Sequence, residues 1–438
     1  MRISLPDRTP FVELAEIAAG RRAYVVGGTV RDILKGREPY DIDVAVSGDT
    51  GAFAAAAAGR LDGTCFAVDA WRGVYRVALH GRRAHLDVTP LLGSVEEDLA
   101  NRDFTINAMA ADVRGGEVID PFGGIADIEA GTIRALGRES FINDPLRLLR
   151  AFRFAQGLGF AIEPATLGYV GELTGRISGV SPERVRDEIY RVLTAGGSEA
   201  CFRAMHGAGL LGEIFPEAAA TEDILQQEPH DCDTLAHSLF AMGHAEAVAG
   251  DLEKYFGSRT GEVGAYLSRE VDGGIRIAGL VKLCAFLHDA GMAARLKMSA
   301  RAAEIISLTA GAHMRPLLMS EEPPTRRAMY RLARDAGEHF PAVMVVALAD
   351  ALATREEPGR AATDVEGLVA VLTEYRYGDY EAAMKEPLLR GSDLLDMGLK
   401  PGPLYSELID EVGEMQASGE IRTREEAINF VKNQGGPR

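Results

Sequence analysis

Two aspartates stand two residues apart in DIDVAV (41–46), a run otherwise made of Ile42, Val44, Ala45 and Val46. In an extended strand residues i and i+2 point to the same side. Asp41 and Asp43 therefore face one way and the larger apolar residues the other. Side-by-side carboxylates repel and cost stability unless a cation lies between them. A second run, AHLDVT (84–89), offers Asp87 between Leu86 and Val88. Three carboxylates on adjacent strands are hard oxygen donors able to clamp two Mg²⁺ ions, one activating an attacking hydroxyl and one neutralising a triphosphate. An acidic pair alone is weak evidence, because 65 acids in 438 residues generate roughly ten such pairs by chance. Context adds weight. Gly28 lies thirteen residues before Asp41, in Tyr24-Val25-Val26-Gly27-Gly28-Thr29-Val30-Arg31-Asp32. This segment reads as a buried strand, a tight glycine turn and a helix start, where backbone N–H groups can meet phosphate closely.

The elements that must position these groups follow from hydropathy patterning. Short β-rich runs at 23–28, 41–46, 74–79 and 84–89, a hairpin around Gly115-Gly116, and a helical run FAAAAAGRL (53–61) predict a mixed α and β head over residues 1–143. From Asp144 onward, amphipathic segments without alternation predict helices throughout. EEPPTRR (321–327), REEPGR (355–360) and LKPGP (399–403) read as breaks between them. The expected organisation is a head (1–143), a helical neck (144–205), a helical body (206–385) and a helical tail (386–438). The fold class is α+β.

The composition is globular, 47% hydrophobic and 26% charged, with a formal charge of −18. That balance argues against a polyanionic partner until its distribution is examined. The deficit is −5 in residues 1–200 and −13 beyond, and the stretch 134–191 holds nine arginines against seven acids. An Arg-lined track in the first half is therefore compatible with RNA, at marked salt sensitivity. Cys65, Cys201, Cys232 and Cys284 form no CxxC pair, so neither a zinc knot nor a disulfide framework is expected. No apolar run approaches the ~18 residues of a membrane span. The expectation is a cytoplasmic protein without a membrane partner.

GGTVRD followed by DID resembles the signature of the tRNA nucleotidyltransferases (CCA-adding enzymes) and the related bacterial poly(A) polymerases, the class II branch of the polymerase-β-like superfamily. EEDLANRDFTINAMA (96–110), DPFGG (120–124), DPLRLLRAFRFA (144–155) and SPERVRDEI (181–189) resemble further segments of that family, in its order. The resemblance implies a polymerase-β-like head and template-independent addition of C and/or A to a tRNA 3′ end from CTP and ATP, with Mg²⁺ at Asp41, Asp43 and Asp87. It implies triphosphate contacts by Gly27, Gly28 and Arg31, with Arg102, Asp103 and Asn107 at phosphate and ribose. Asp144, Arg147, Arg150 and Arg153 would lie on a nucleotide-selecting helix. There a carboxylate accepting from an exocyclic amine and a guanidinium donating to the ring can separate C and A from U and G; Asp144 and Arg147, at i and i+3, are expected on one face. Asn143 precedes Asp144 where the family shows Glu, and Asn101 replaces an arginine. Only eight residues separate Asp87 from Glu96, whereas relatives that add all three nucleotides carry a longer loop associated with switching from C to A. The alternatives are a CC-adding or A-adding enzyme, and a poly(A) polymerase.

A second constellation stands apart from the head. His237, His288-Asp289 in LVKLCAFLHDAG and Asp350 in VVALADALAT are polar groups in apolar helices, costly there unless paired or metal-bound. Their order resembles the HD-domain phosphohydrolases and implies a possible transition-metal site, although Met292 stands where many active members have Lys. A phosphohydrolase with an RNA-binding head is the remaining alternative. His313 and His339 read either as further ligands or as lone surface histidines, and the surface reading is favoured for each. The tail resembles the family's tRNA-binding segment, with Lys400, Arg422, Arg424 and Lys432 as its local cations.

Overall fold

The structure, a computed structural model, describes residues 2–3, 10–18, 20–39, 41–81, 84–221, 234–289, 296–320, 323–354 and 361–435. Cys232, Met292 and the 355–360 break lie outside them. Two compact units form, Met1–Val180 with Gly207–Glu213 and Ser181–His206 with Ile214–Arg438; the 144–205 segment is divided between them.

The first unit is built on strands β1 (Ala23–Val26), β2 (Asp41–Val46), β3 (Gly63–Asp69), β4 (Val74–Leu79), β5 (His85–Pro90) and β6 (Ala110–Asp112). They make one six-stranded sheet in the order β3-β4-β5-β2-β1-β6. Neighbours run antiparallel except β2 and β5, which are parallel. Strand alternation divides the sheet into two faces. Val25, Ile42, Val44, Val46, Val77, Leu79, Leu86 and Val88 pack with Phe53, Ala54 and Ala57 of the helix Thr50–Arg60 into the main core. The alanine run is thus the covering helix, its N-terminus capped by the Asp49 carboxylate accepting from the Ala52 N–H at 2.9 Å. On the opposite face Val26, Ala45, Val95, Leu99, Ala108 and Ala110 make a smaller apolar cluster, beside which the aspartates remain. The hairpin expected near Gly115 is present: the Gly115 N–H donates to the Asp112 carbonyl at 2.8 Å, and Ala110 bridges Ile119.

Helix α1 (Gly28–Leu34) follows β1, α2 (Val95–Ala100) follows β5, and α3 (Arg138–Asn143) and α4 (Leu146–Leu158) close the unit's functional side. One expectation is corrected here. Helix α4 begins at Leu146 rather than near Asp144, because Pro145 lacks an N–H and disfavours helical backbone in the residue before it. Asp144 sits at φ −143° after α3, so it and Arg147 do not share a helical face; the Asp144 carboxylate instead accepts from the Leu146 N–H at 3.3 Å.

Among the described residues, the second unit is helical apart from a two-stranded ribbon at Glu270–Asp272 and Ile275–Arg276. Helices α5 (Thr234–Gly250), α6 (Ile277–Leu287) and α7 (Phe340–Ala353) form its centre. Helices α6 and α7 are buried along nearly all of their length, which explains sequences that are apolar all round. The helical stretch Arg326–Ala353 is long and apolar enough to cross a membrane, yet 83% of its apolar window is buried within the protein; it is a core element. Near the C-terminus, Leu389, Leu394, Leu408, Val412, Ile421, Ala427 and Val431 form a separate apolar cluster, with LKPGP turning the chain before the helix Pro403–Ser418. Cys65, Cys201 and Cys284 are free thiols.

Candidate functional site

Strand register brings the three predicted carboxylates together. Asp43 on β2 pairs with Asp87 on β5, and Asp41 pairs with His85, so all four side chains share one face. Burial pushes the Asp43 carboxyl above its ordinary pKa, with Asp87 and Asp41 adding to the rise and Arg102 and His85 opposing it. Burial is the leading cause of the rise, and the crowding of like charges adds to it.

Two residues that the motif reading passed over pair with the trio. Arg76, from β4, donates through Nε and Nη2 to the two Asp87 oxygens, both at 2.7 Å. His85 places Nδ1 2.9 Å from an Asp41 oxygen and Nε2 3.8 Å from Asp87. Their signal was present, since Arg76 interrupts the apolar VYRVAL and His85 shares Asp87's strand parity. Recognising it required knowing which strands pair.

The glycine turn lies against the same carboxylates. Gly27 has φ +66° and donates its N–H to the Met109 carbonyl; a Cβ there would lie 2.7 Å from Arg102 Nη1 and 3.6 Å from an Asp43 oxygen. The position therefore demands glycine for both its backbone angle and its space. Thr29, another residue without a role in the motif reading, ties turn to strand: its hydroxyl donates to the Asp41 carbonyl at 3.2 Å and accepts from the Asp43 N–H at 2.8 Å.

Behind the turn runs a buried polar chain. Arg31 donates to Asn107 Oδ1 at 2.6 Å and Asn107 donates to Asp103 Oδ1 at 2.9 Å. Arg150 donates through Nε to Asp103 Oδ2 at 3.0 Å, and the Phe104 N–H donates to Oδ1 at 2.9 Å. Burial works against an ionised Asp103, but Arg150 and these hydrogen bonds outweigh it and hold the carboxyl below the usual range. Arg31, Arg150 and Arg153 lie 5.6, 5.3 and 4.1 Å from the ring centre of Phe154, so one aromatic face spaces three cations. Arg147 donates to the carbonyls of Asn101 and Arg102 at 2.6 and 2.9 Å and to Ser140 Oγ at 2.8 Å. It fixes the backbone that carries Arg102 and Asp103. Arg102 reaches Asp98 at 3.2 Å while facing Gly27.

The connection from β5 to α2 is short and fastened. The Leu91 N–H donates to the Val46 carbonyl at 2.9 Å, Arg22 Nη2 reaches the Gly93 carbonyl at 3.4 Å, and Ser94 and Glu97 exchange capping-box hydrogen bonds at 3.2 and 2.8 Å.

In the second unit the His/Asp constellation is assembled as expected. His237 Nε2 lies 2.7 Å from Asp350 Oδ1, and His288 Nε2 lies 3.4 Å from that oxygen and 3.3 Å from Asp289. Burial opposes ionisation of Asp350, yet hydrogen bonds with both histidines hold its carboxyl far below its ordinary pKa. The expectation of surface histidines at 313 and 339 is corrected, for both are buried. His339 Nδ1 lies 2.9 Å from the Tyr266 hydroxyl. His313 joins the cluster: Nδ1 is 2.8 Å from the Ala310 carbonyl, and Nε2, 3.9 Å from Asp350, has no hydrogen-bond partner among the described residues. These donors fit a transition-metal ion, as imidazole and carboxylate ligands do.

Comparison with known proteins rests on both units. A profile of the Poly A polymerase head domain matches residues 23–134, and a second, the probable RNA and SrmB-binding site of polymerase A, matches 159–221. The chain is 33% identical to a CC-adding tRNA nucleotidyltransferase of Geobacter sulfurreducens over 98% of its own length and 95% of the relative's. The chain belongs to the tRNA nucleotidyltransferase family. An A-adding member from Deinococcus radiodurans is 32% identical over 94% of this chain and 95% of its own. The fold agrees with that of the Thermotoga maritima CCA-adding enzyme, described in complex with tRNA, at a TM-score of 0.65, 24% identity and coverage of 97% and 94% of the two chains. Family membership implies divalent-metal chemistry, and the three crowded carboxylates are oxygen donors suited to it.

Proposed function

We propose that this enzyme adds C to the 3′ end of tRNA from CTP, releasing pyrophosphate, and stops before the terminal A. The observation carrying the reading is the carboxylate trio in register beneath the Gly27-Gly28 turn, closed on one side by a β5–α2 connection too short and too well fastened to reshape the nucleotide pocket. Asp41, Asp43 and Asp87 would hold two Mg²⁺ ions, which when bound supply charge neutralisation and lower the pKa of the attacking 3′-hydroxyl.

The remaining roles belong to the chain itself. Gly27 and Gly28 leave room for the triphosphate, Arg31 and Arg102 face it with forked donors, and Arg150 and Arg153 extend that cationic wall. Asp103 and Asn107 keep Arg31 and Arg150 in place before substrate arrives, which lowers the cost of ordering them. Asp144 and Arg147 are assigned to the base edge. Nη2 of Arg147 carries a second N–H beyond the one given to Asn101, and a carboxylate that accepts from the exocyclic amine accounts for preference over U. The basic residues of 134–191 and the tail cations would contact the tRNA, and such a substrate places the enzyme in the cytoplasm.

The test uses purified protein with labelled CTP or ATP and three tRNA transcripts: lacking the last three nucleotides, lacking only the last, and complete. We expect two C additions to the first and none to the others. Addition of A to the second would identify a complete or A-adding enzyme, and long A-tails on generic RNA a poly(A) polymerase.

A second reading concerns the His/Asp cluster, because His237, His288 and Asp350 are buried donors that need pairing or a metal there, with the exposed Asp289 beside them. We assign His237, His288, Asp289 and Asp350 as ligands of a transition-metal ion. Dialysis against Mn²⁺, Ni²⁺ or Zn²⁺ is expected to leave about one ion per chain and raise the Tm, since ligand binding to the folded state stabilises it by mass action. Asp350→Asn is expected to hold about one ion fewer per chain than wild type. Metal contents equal in the two proteins would count against the site.

A further inference from the structure

Strand register extends the carboxylate face beyond the residues already assigned. Asp43 pairs with Asp87, Asp87 with Arg76, and Arg76 with Phe66, so these four side chains form one row across β2, β5, β4 and β3. Paired residues in neighbouring strands project to the same side. Phe66 therefore stands on the face of the carboxylates, two strands from Asp87, about 10 Å away at the usual strand spacing. The alternate residue Cys65 points the other way and packs against the core.

Phe66 is 47% exposed, Val68 56% and Trp71, at the tip of the β3–β4 hairpin, 93%. An exposed apolar patch on an edge strand is an aggregation liability that proteins ordinarily avoid. Fraying does not account for it, since the tip is anchored: Thr50 Oγ1 donates to the Gly73 carbonyl at 2.8 Å, and Asp69 accepts from the Arg72 N–H at 3.0 Å. Guanidinium groups flank the patch, Arg76 beside Phe66, forked onto Asp87, and Arg72 beside Trp71, 3.7 Å from the Asp69 carboxylate in a surface pair that leaves its side chain 74% exposed.

Aromatic faces interleaved with arginines on a rigid ribbon suit single-stranded nucleic acid, which stacks its bases and lays its phosphates against the cations. We propose that Phe66 and Trp71 form a stacking platform for the last bases of the tRNA 3′ end. The proposal rests on the nucleotide-adding reading above, which requires the attacking 3′-hydroxyl to lie at the same row's carboxylates. Stacking, unlike base-edge readout, accepts any base. It thereby serves an enzyme that must hold many different tRNA ends and then its own products.

Two measurements test this. In steady-state kinetics with a tRNA lacking its last three nucleotides, Phe66→Ala is expected to raise the KM for tRNA about 5–20-fold, leave the KM for CTP within twofold, and recover with Phe66→Tyr. An unchanged tRNA KM, or an equal rise in both KM values, would overturn it. Trp71 is the chain's single tryptophan, so its fluorescence reports binding without catalysis. A single-stranded oligonucleotide matching the tRNA 3′ end is expected to quench it in wild type, and a blunt duplex of equal length is not. If wild type incorporates no nucleotide yet quenches, the nucleotide-adding reading fails while the platform survives; absence of quenching refutes the platform itself.

Discussion

Replacing Asp41 and Asp43 together by alanine abolishes incorporation of labelled CTP, a loss of more than about 10³-fold, while circular dichroism stays native. The carboxylates lie on the sheet face opposite the main apolar core and take no part in its packing, so the defect is chemical rather than structural. The single variant Asp43→Asn separates the two aspects further. Because burial and its acidic neighbours raise the Asp43 pKa in the folded chain, ionisation of this group opposes folding. Stability is undiminished below the unfolded pKa and declines as pH rises toward the folded one. In EDTA at neutral pH the asparagine variant is therefore expected to melt above wild type, the two converging in acid. Added Mg²⁺ should raise the Tm of wild type and close the gap. A variant that melts lower at every pH would show that Asp43 is held by its cationic neighbours rather than strained by its acidic ones.

The second large effect is expected at Asp103. Its carboxylate accepts from Arg150, Asn107 and the Phe104 N–H in a buried setting, and removing one partner of such a group leaves the others unpaired. Asp103→Asn is expected to cost about 2–4 kcal/mol, read from the denaturant midpoint. The sign of its pH dependence is opposite to that of Asp43. A carboxyl held below its ordinary pKa stabilises above the unfolded value and loses that contribution as pH falls through the folded one. The difference between wild type and variant should be full at pH 7 and shrink in acid below the usual carboxylate range. Nucleotide KM should rise as well, since Asn107 then orients Arg31 less firmly. A variant of wild-type stability would mean that Arg150 finds an equivalent partner elsewhere.

What could be read from sequence was local. The alternation in DIDVAV, the Gly27-Gly28 turn and the parity of Asp87 are short-range patterns, and each told which way a side chain points. The helical body was legible because its segments show no strand alternation, even though α6 and α7 are apolar nearly all round rather than amphipathic. Contacts joining distant segments were legible only where a motif resemblance linked them, as for His237 and Asp350 across 113 residues; Arg76 meets Asp87 only through antiparallel pairing, which no motif announced. Asp144 was misplaced for a local reason, Pro145, which resets the helix start two residues later. His313 looked solitary in sequence because its partners come from two other helices and supply nothing periodic. Phe66 drew no notice because Gly63–Asp69 was not among the runs read as strands, its sequence lacking the β-branched alternation of its neighbours.

The fork between Arg76 and Asp87 has a consequence for the working cycle. An acidic trio with no fixed cation beside it would carry its full repulsion whenever no metal was bound. Here the Arg76 guanidinium, held one strand away, already neutralises Asp87. Asp87 would have to be released by Arg76 before serving as a metal ligand, so that loading the head with metal would be an exchange of one cation for another.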